Sequence, residues 1–167
     1  MKPTIAKRGT QLYAAVRKTL GRDELGEVVP SILPKIFEFL QKHRVKVTGA
    51  PLIRYFVVDY HSGEIEIDIG VPVGTTTLPA DAQVHFGEIP SGTFATVIHR
   101  GPYETLVKTT AALLDWAQQS HVIWAMAEQR KVTRWEGRVE HYLIGPPDEP
   151  NSKNWQTEIA ILISDGK

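Results

Sequence analysis

The clearest hydrophobic pattern in the chain lies between Glu64 and Val73. Isoleucine or valine fills every second position there, and the positions between them are mostly acidic, Asp68 among them. A period of two places the two sets on opposite faces of a β-strand, one apolar and one acidic. The preceding run, Leu52 to Tyr60, is rich in β-branched and aromatic residues, and residues 61–63 form a short turn. Together the two runs predict a β-hairpin.

Two stretches carry the 3.6-residue period of an amphipathic helix. The first begins at Ser31, an N-cap residue, has Pro34 in its first turn, and should end near His43. The second runs from about Pro102 to Ser120, with the proline at the first helical position, where its missing N–H costs nothing. We therefore expect two main helices.

The remaining patterns predict strands on either side of these helices. They comprise Thr10 to Lys18, a strand that ends at His99, a strand around Arg138 to Ile144, and a last strand from Gln156 to Ser164. The segment Val122 to Gly137 fits either an extra helical turn or an elaborated loop. The order strand, helix, strand, strand thus occurs twice along the chain.

This order predicts an α+β fold built from duplicated βαββ units within a single domain, residues 1–167. Repeat one covers about residues 10–74, a linker about 75–83, and repeat two about 84–164. The antiparallel sheets would bury their apolar faces under the two helices, which pack on one side. The opposite faces would meet across a ligand cleft between the repeats.

Composition narrows the function classes. The 167 residues are 42% hydrophobic, enough for a substantial core, and 19 basic residues balance 19 acidic ones. The chain has no overall positive field of the kind that supports direct nucleic-acid binding. It contains no cysteine, and no apolar run reaches the length of a signal peptide core or a membrane span. We expect a cytoplasmic protein with no membrane association.

Acidic and aromatic residues are the candidates for chemistry. Glu140 and Tyr142 lie two apart on one strand face, Glu158 is on the neighbouring strand, and Tyr103 and Trp155 lie at the ends of elements. We expect these side chains on the cleft side, where they would suit a planar, lipophilic or cationic guest. Asp68 and Tyr55 complete the candidate ligand-binding set. The alternative is that the carboxylates are solvated strand residues and the aromatics are ordinary core.

The six histidines do not predict a metal site. They are scattered without short ligand spacing and have no cysteine partners. No Gly-x-Ser-x-Gly elbow or phosphate-binding loop occurs either. We therefore predict no metal and no cofactor.

Five short segments in the second half resemble the signatures of the GyrI-like small-molecule-binding family. They are Ile89-Pro90-Ser91-Gly92, His99-Arg100-Gly101-Pro102-Tyr103, Leu113-Leu114-Asp115-Trp116, Glu140-His141-Tyr142-Leu143 and Trp155-Gln156-Thr157-Glu158-Ile159. The family includes the effector-binding domains of multidrug-responsive transcription activators. The resemblance implies a pseudo-twofold axis between the repeats and a stand-alone member, without a DNA-binding segment before the domain.

The resemblance also implies roles for particular residues. Glu140 and Glu158 become the pocket carboxylates, and Tyr142, Trp155 and Tyr103 become aromatic walls. Two features depart from the family pattern. A leucine, Leu162, stands where the family often has proline, and the segment 122–137 is longer than expected.

Three functions remain open at this point. The residues favour a binding protein that senses or sequesters lipophilic, aromatic compounds, cationic ones included. The alternative is a hydrolase of cyclopropane-bearing genotoxic compounds, in which Glu158 or Glu140 is the general base and Tyr142 assists. A third reading is a protein-interaction module of the gyrase-inhibitor type, so a protein partner is allowed but not indicated.

Overall fold

The computed structural model describes residues 2–75, 83–146 and 148–165, and within them the chain forms nine β-strands and two α-helices. All paired strands are antiparallel, so the fold class is α+β. Most of the predicted linker, residues 76–82, lies outside the described residues. In chain order the elements are β1 (Thr4–Arg8), β2 (Gln11–Gly21), α1 (Leu25–Lys42), β3 (Leu52–Asp59), β4 (Glu64–Pro72), β5 (His85–Ile89), β6 (Gly92–Arg100), α2 (Leu106–Gln119), β7 (Met126–Gln129), β8 (Val132–Ile144) and β9 (Gln156–Leu162).

One curled sheet contains all of these strands. Their order is β1-β6-β9-β8-β3-β4-β2-β5, and β7 pairs with the early part of β8. The short strands β1 and β5 each pair with a strand from the other half of the chain. β1 pairs with β6 although it leads into β2, and β5 pairs with β2 although it leads into β6.

The alternation predicted for β4 is confirmed. Ile65, Ile67 and Ile69 are at most 1% exposed, and they share one core cluster with residues of both α1 and α2. Full burial of such a side chain stabilises the fold by about 2 kcal/mol relative to exposure. We call this side of the sheet the helix face and the opposite side the far face.

The far face has a smaller core of its own. Tyr13, Leu52, Phe94, Val139 and Leu162 form a second cluster of buried residues, drawn from strands that lie far apart in the sheet order. Because the sheet curls, residues from distant strands meet on this face. Both faces of the sheet are therefore packed.

Helix α1 begins earlier than predicted. It starts at Leu25, so Ser31 is not an N-cap; its hydroxyl donates to the Val28 carbonyl at 2.6 Å inside the helix. Pro30 and Pro34 also lie within the helix. The earlier turns are retained because the valines at 28 and 29 pack against the helix-face core, which outweighs the local signal of serine and proline.

The segment Val122 to Gly137 is neither a helical turn nor a loop. It contains β7 and the start of β8, which pair as a hairpin. Arg130 and Lys131 at the turn both have positive φ, 53° and 64°, as a two-residue turn of type I′ requires. Asparagine or glycine usually announces such a turn, and here two long basic residues occupy it.

The entry to α2 also differs from the prediction. A short 3-10 turn, Tyr103–Thr105, precedes the helix, and Pro102 sits before that turn in an extended conformation. Pro102 therefore guides the chain out of β6 and is not the first helical residue. Upstream, the strand predicted to end at His99 is β6, which ends at Arg100, whereas β5 and β1 were not predicted.

Candidate ligand-binding site

Glu140 lies on the helix face of β8 and accepts two tyrosine hydroxyl hydrogen bonds. Tyr55 donates from the neighbouring strand β3 at 2.9 Å, and Tyr142 donates at 2.7 Å, both to Oε1. Glu140 is only 7% exposed. Charge-assisted hydrogen bonds of this kind replace the water that a buried carboxylate loses. Oε2 receives no hydrogen bond from the described residues, so it is the oxygen that a ligand could use.

The two tyrosines remain neutral donors. Burial raises the pKa of Tyr55 well above its usual range, and the negative charge of Glu140 raises it further. The same two causes, in the same order, raise the pKa of Tyr142. Both hydroxyls therefore keep their protons at physiological pH and continue to donate.

Aromatic rings extend this cluster toward solvent. Tyr103 packs against Trp155 with ring centroids 4.7 Å apart and meets the edge of Tyr142 at 5.5 Å. The Trp155 indole N–H donates to the Glu149 carbonyl at 2.7 Å, which fixes the orientation of its ring. Tyr103 is 38% exposed and is the outermost of these rings. We call Tyr55, Tyr103, Glu140, Tyr142 and Trp155 the Glu140 cluster.

A buried arginine lies beside this cluster. Arg138 is 4% exposed, and its guanidinium carbon lies 5.1 Å from the Tyr55 ring centroid and 4.8 Å from that of Trp135. Its Nη1 atom has no hydrogen-bond partner among the described residues. The arginine shares the helix face with Glu140, and its positive charge opposes the rise in the pKa of Tyr55.

Glu158 lies on the far face and is already neutralised. Arg8 donates to its two carboxylate oxygens in a bidentate pair, at 2.8 Å each, and Nδ1 of His141 lies 3.3 Å from Oε1. Burial alone would raise the pKa of Glu158, but these partners outweigh that effect and hold its pKa at about 2. The carboxylate is therefore ionised and occupied at neutral pH.

Asp68 is also on the far face and is fully buried. Tyr13 donates to it at 2.7 Å and Nε of Arg17 at 2.6 Å, and His85 lies 3.2 Å away. Burial would raise the pKa of Asp68, but the bonds from Arg17 and Tyr13 outweigh it and lower the pKa below its usual value. The acidic face predicted for β4 is thus partly an interior ion-pair network.

The seven predicted site residues therefore do not share one face. Five form the Glu140 cluster on the helix face, whereas Glu158 and Asp68 lie on the far face. The expectation that Glu140 and Glu158 line one cleft is wrong. The register between β8 and β9 is the reason, because it sets Glu140 opposite Ile159 and His141 opposite Glu158. A one-residue difference in register exchanges the two faces of a strand, and sequence alone does not fix it.

Two cavities lie in the described structure near Glu158. The larger is about 920 Å³ and lies between the start of β1, the end of β6 and the start of α2. The smaller is about 350 Å³ and lies on the far face. Among the predicted site residues, Glu158 lines both cavities, and no residue of the Glu140 cluster lines either one.

The described residues contain no group of three or more His, Asp or Glu side chains that could hold a metal ion. His99 illustrates the structural use of a histidine. Its Nδ1 atom lies 2.6 Å from the Thr109 hydroxyl and its Nε2 atom 3.1 Å from the Pro102 carbonyl oxygen. It fastens the end of β6 to α2.

Among the described residues, neither helix is long and apolar enough to cross a membrane.

A family model described as the GyrI-like small molecule binding domain matches residues 62–164. The chain belongs to this family. The match includes β8 and β9, and with them Glu140, Tyr142, Trp155, Tyr103 and Glu158. Small-molecule binding is therefore the general function of this GyrI-like domain.

Solved structures show the same fold. The C-terminal domain of EcmrR superposes with a TM-score of 0.78 at 18% identity, covering 98% of this chain and 97% of that one. The structure of SAV2435 bound to tetraphenylphosphonium superposes with a TM-score of 0.62 at 13% identity, covering 99% of this chain and 95% of that one. A hydrolase from Listeria innocua superposes with a TM-score of 0.59 at 12% identity, covering 98% of this chain and 92% of that one. No curated protein matches this GyrI-like domain significantly.

Sequence reasoning missed three residues that lie beside the candidate carboxylates of the GyrI-like domain. Arg138 lies on the same strand face as Glu140 and Tyr142, at positions 138, 140 and 142, and this alternation was a usable signal. His141 alternates with them and therefore belongs to the far face. Arg8 lies on β1, more than a hundred residues from Glu158, and no local pattern indicates that contact.

Proposed function

We propose that this GyrI-like domain binds lipophilic aromatic small molecules at the Glu140 cluster. The observation that carries the proposal is the buried Glu140 carboxylate, which is bonded to two neutral tyrosines and bordered by the rings of Tyr103 and Trp155. Aromatic walls offer a large contact area to a flat guest, and a carboxylate attracts positive charge. Glu158 and Asp68 are already paired with arginines and are not available for this role.

Binding at this cluster requires a ring to move. The cluster is packed, and Tyr103 is its outermost ring, on a short 3-10 turn. Tyr55, by contrast, is 5% exposed and held by Glu140. We therefore propose that an incoming ligand displaces the Tyr103 ring and stacks against Trp155. Glu140 then neutralises a cationic centre, and the structure of SAV2435 with tetraphenylphosphonium supports lipophilic cations as the first probes.

The two glutamates provide a matched test. Tetraphenylphosphonium and a panel of planar cationic dyes are titrated against the wild type, Glu140→Gln and Glu158→Gln. We expect Glu140→Gln to weaken binding by about tenfold, which corresponds to about 1.4 kcal/mol. Glu158→Gln should leave binding unchanged, because its carboxylate lies on the other face. Equal loss in both variants, or no binding by the wild type, would contradict the proposal.

A hydrolase is the second candidate. It is supported by the 2.7 Å hydrogen bond between Tyr142 and Glu140 and by the similar fold of the Listeria innocua hydrolase. Glu140 would act as general base on water, with the Tyr142 hydroxyl as a proton donor. Glu158 is a poor base, since the Arg8 ion pair contributes to its pKa of about 2. Turnover of a cyclopropane-bearing compound that is lost in Glu140→Gln and kept in Glu158→Gln would establish catalysis.

We also propose that the fold arose by duplication of a βαββ unit within one domain. The strand orders β2-β4-β3 and β6-β9-β8 correspond, each with a helix after its first strand, and they meet at the β3–β8 pair. A pseudo-twofold axis between β3 and β8 would relate the halves. Superposition of residues 11–72 on residues 92–162 tests this. A different crossing of α1 and α2 over their strands would count against it.

A further inference from the structure

The two cavities near Glu158 meet at one ion pair. Arg8 and Glu158 line both the larger cavity, which we call the outer cavity, and the smaller one, which we call the inner cavity. Their side chains are joined by two 2.8 Å hydrogen bonds. The pair therefore stands between two adjacent spaces of about 920 and 350 Å³. Both volumes fall near the range of small-molecule sites.

The outer cavity is positively charged. Lys2, Arg8, Arg100 and Lys108 line it, and the carboxylate that also lines it, Glu158, is already bonded to Arg8. The ion pairs found among the described residues do not include Lys2, Arg100 or Lys108. Several uncompensated cations around one concavity favour an anionic group.

The end of a strand explains why this space is open. β1 begins at Thr4, opposite Thr96, whereas β6 continues to Arg100 and pairs with β9 along that stretch. In the described part of the chain, residues 97–100 thus have a strand neighbour on one side and the outer cavity on the other. Lys108 reaches the cavity from α2. The edge of β6 and the start of α2 together form its walls.

The inner cavity is mostly apolar. Its walls include Ile89, Phe94, Val139, Leu143 and Ala160, most of which belong to the far-face core. Its polar lining residues are Arg8, Gln11, His141 and Glu158, and two of them, Arg8 and Glu158, also line the outer cavity. A charged space therefore opens next to an apolar one.

We propose that these two cavities form a second ligand site, which binds an amphiphile with one anionic head group. The head is held by Lys2, Arg100 and Lys108 in the outer cavity. The apolar chain passes the Arg8–Glu158 pair and fills the inner cavity. The ligand class differs from that of the Glu140 cluster, and the apolar chain of the ligand lies on the far face while no residue of the Glu140 cluster lines either cavity, so the two proposals are tested separately.

Fluorescence titration with dansylaminoundecanoic acid tests the proposal, with its neutral methyl ester as the matched probe. We expect the acid to bind on the order of tenfold more tightly than the ester, with a preference that falls as salt is added. The double variant Arg100→Gln/Lys108→Gln should lose this preference. Lys35→Gln, an exposed lysine change on α1, is the control and should keep it. Equal binding of acid and ester by the wild type, or no binding of either, overturns the proposal.

Two further measurements locate the apolar chain of the ligand and identify its head group. Ala50→Trp, at a half-buried loop position that lines the inner cavity, should fill part of that cavity and weaken the binding of the acid and of the ester alike. Displacement of the acid by dodecanoate or by dodecyl phosphate identifies a carboxylate or a phosphate head, and displacement by neither overturns the proposal. Glu140→Gln should not change binding of the acid. If it does, the acid binds at the Glu140 cluster and the second site is refuted.

Discussion

Glu140 and Glu158 have the same side chain but different partners, and the partners decide what each can do. Tyrosine hydroxyls hold Glu140 without cancelling its charge, whereas the guanidinium of Arg8 cancels the charge of Glu158. A neutral donor leaves a carboxylate able to attract a cation, and an ion pair does not. The first residue is therefore suited to ligand binding and the second to linking β1 to β9 across the intervening strand β6.

The Glu158 ion pair predicts a pH dependence of stability. Its pKa is about 2 in the folded protein and 4.5 for an unperturbed group, so the stabilisation is fully present above about pH 4.5 and is lost as pH falls toward 2. The Arg8 side chain is 36% exposed, so solvent screens the pair, and we expect it to contribute about 2 kcal/mol to the free energy of unfolding at neutral pH. Urea unfolding from pH 7 to pH 3 should show Glu158→Gln less stable at neutral pH and approaching the wild type in acid. Glu38→Gln, an exposed control, should run parallel to the wild type.

Tyr55→Phe tests the hydrogen bonds of the Glu140 cluster. It removes one of the two donors to a buried carboxylate, and we expect the free energy of unfolding to fall by about 1–2 kcal/mol. The same change at Tyr60, which is 49% exposed, should have little effect. Urea denaturation of both variants provides the measurement. Equal stability of Tyr55→Phe and wild type would show that Tyr142 alone satisfies Glu140.

At the scale of elements, β5 depends on a glycine. A Cβ on Gly87 would lie 2.6 Å from Cε2 of the Tyr13 ring, which is fully buried and bonded to Asp68. We expect Gly87→Ala to destabilise the protein by at least about 2 kcal/mol through overpacking. Gly9→Ala, where a Cβ meets nothing within 4 Å, is the control. Thermal unfolding of the two variants gives the comparison, and similar melting temperatures would contradict the expected clash.

The elements that sequence predicted well are those with a strong local period. The β3–β4 hairpin and the end of α1 near His43 follow from alternation and from the apolar stripe. The predictions for the start of α1 and for the segment that forms the β7–β8 hairpin were wrong, because packing onto the core overrides the local preferences of serine, proline and turn residues. β1 has no apolar period at all, since it is an edge strand that is mostly exposed.

The same distinction applies to the site. Five of the predicted residues came together because Tyr55, Glu140 and Tyr142 follow the pleat of adjacent strands, and Tyr103 and Trp155 lie where β6 leaves and β9 enters the sheet. Glu158 and Asp68 lie on the face opposite the helices, where alternation along their strands places them, whereas Tyr55, Glu140 and Tyr142 lie on the helix face and not on the expected cleft side. Strand register and long-range partners such as Arg8 leave no local trace in the sequence. Sequence thus predicted which residues meet around Glu140, and did not predict how the seven residues divide between the two faces.

At the scale of the whole molecule, the exchange of β1 and β5 between the two halves predicts cooperative unfolding. β1 completes the sheet edge of the second half, and β5 that of the first half. All four tryptophans lie between Trp116 and Trp155, so their fluorescence reports on the second half, whereas far-ultraviolet circular dichroism reports on both. We expect the two probes to give coincident urea transitions. Two separate transitions would show that the halves unfold independently.

The pairing of β1 with β6 has a consequence for how the protein is made. On the ribosome, β6 begins at Gly92, more than eighty residues after β1 ends at Arg8. At about 5–20 residues per second, β1 waits roughly 4–17 s for its partner strand to be synthesised. During this time its polar residues keep the nascent segment hydrated, and α1 with β2 to β4 can form without it. Since β9 supplies Glu158 near the end of synthesis, the Arg8 ion pair closes among the last contacts of the fold.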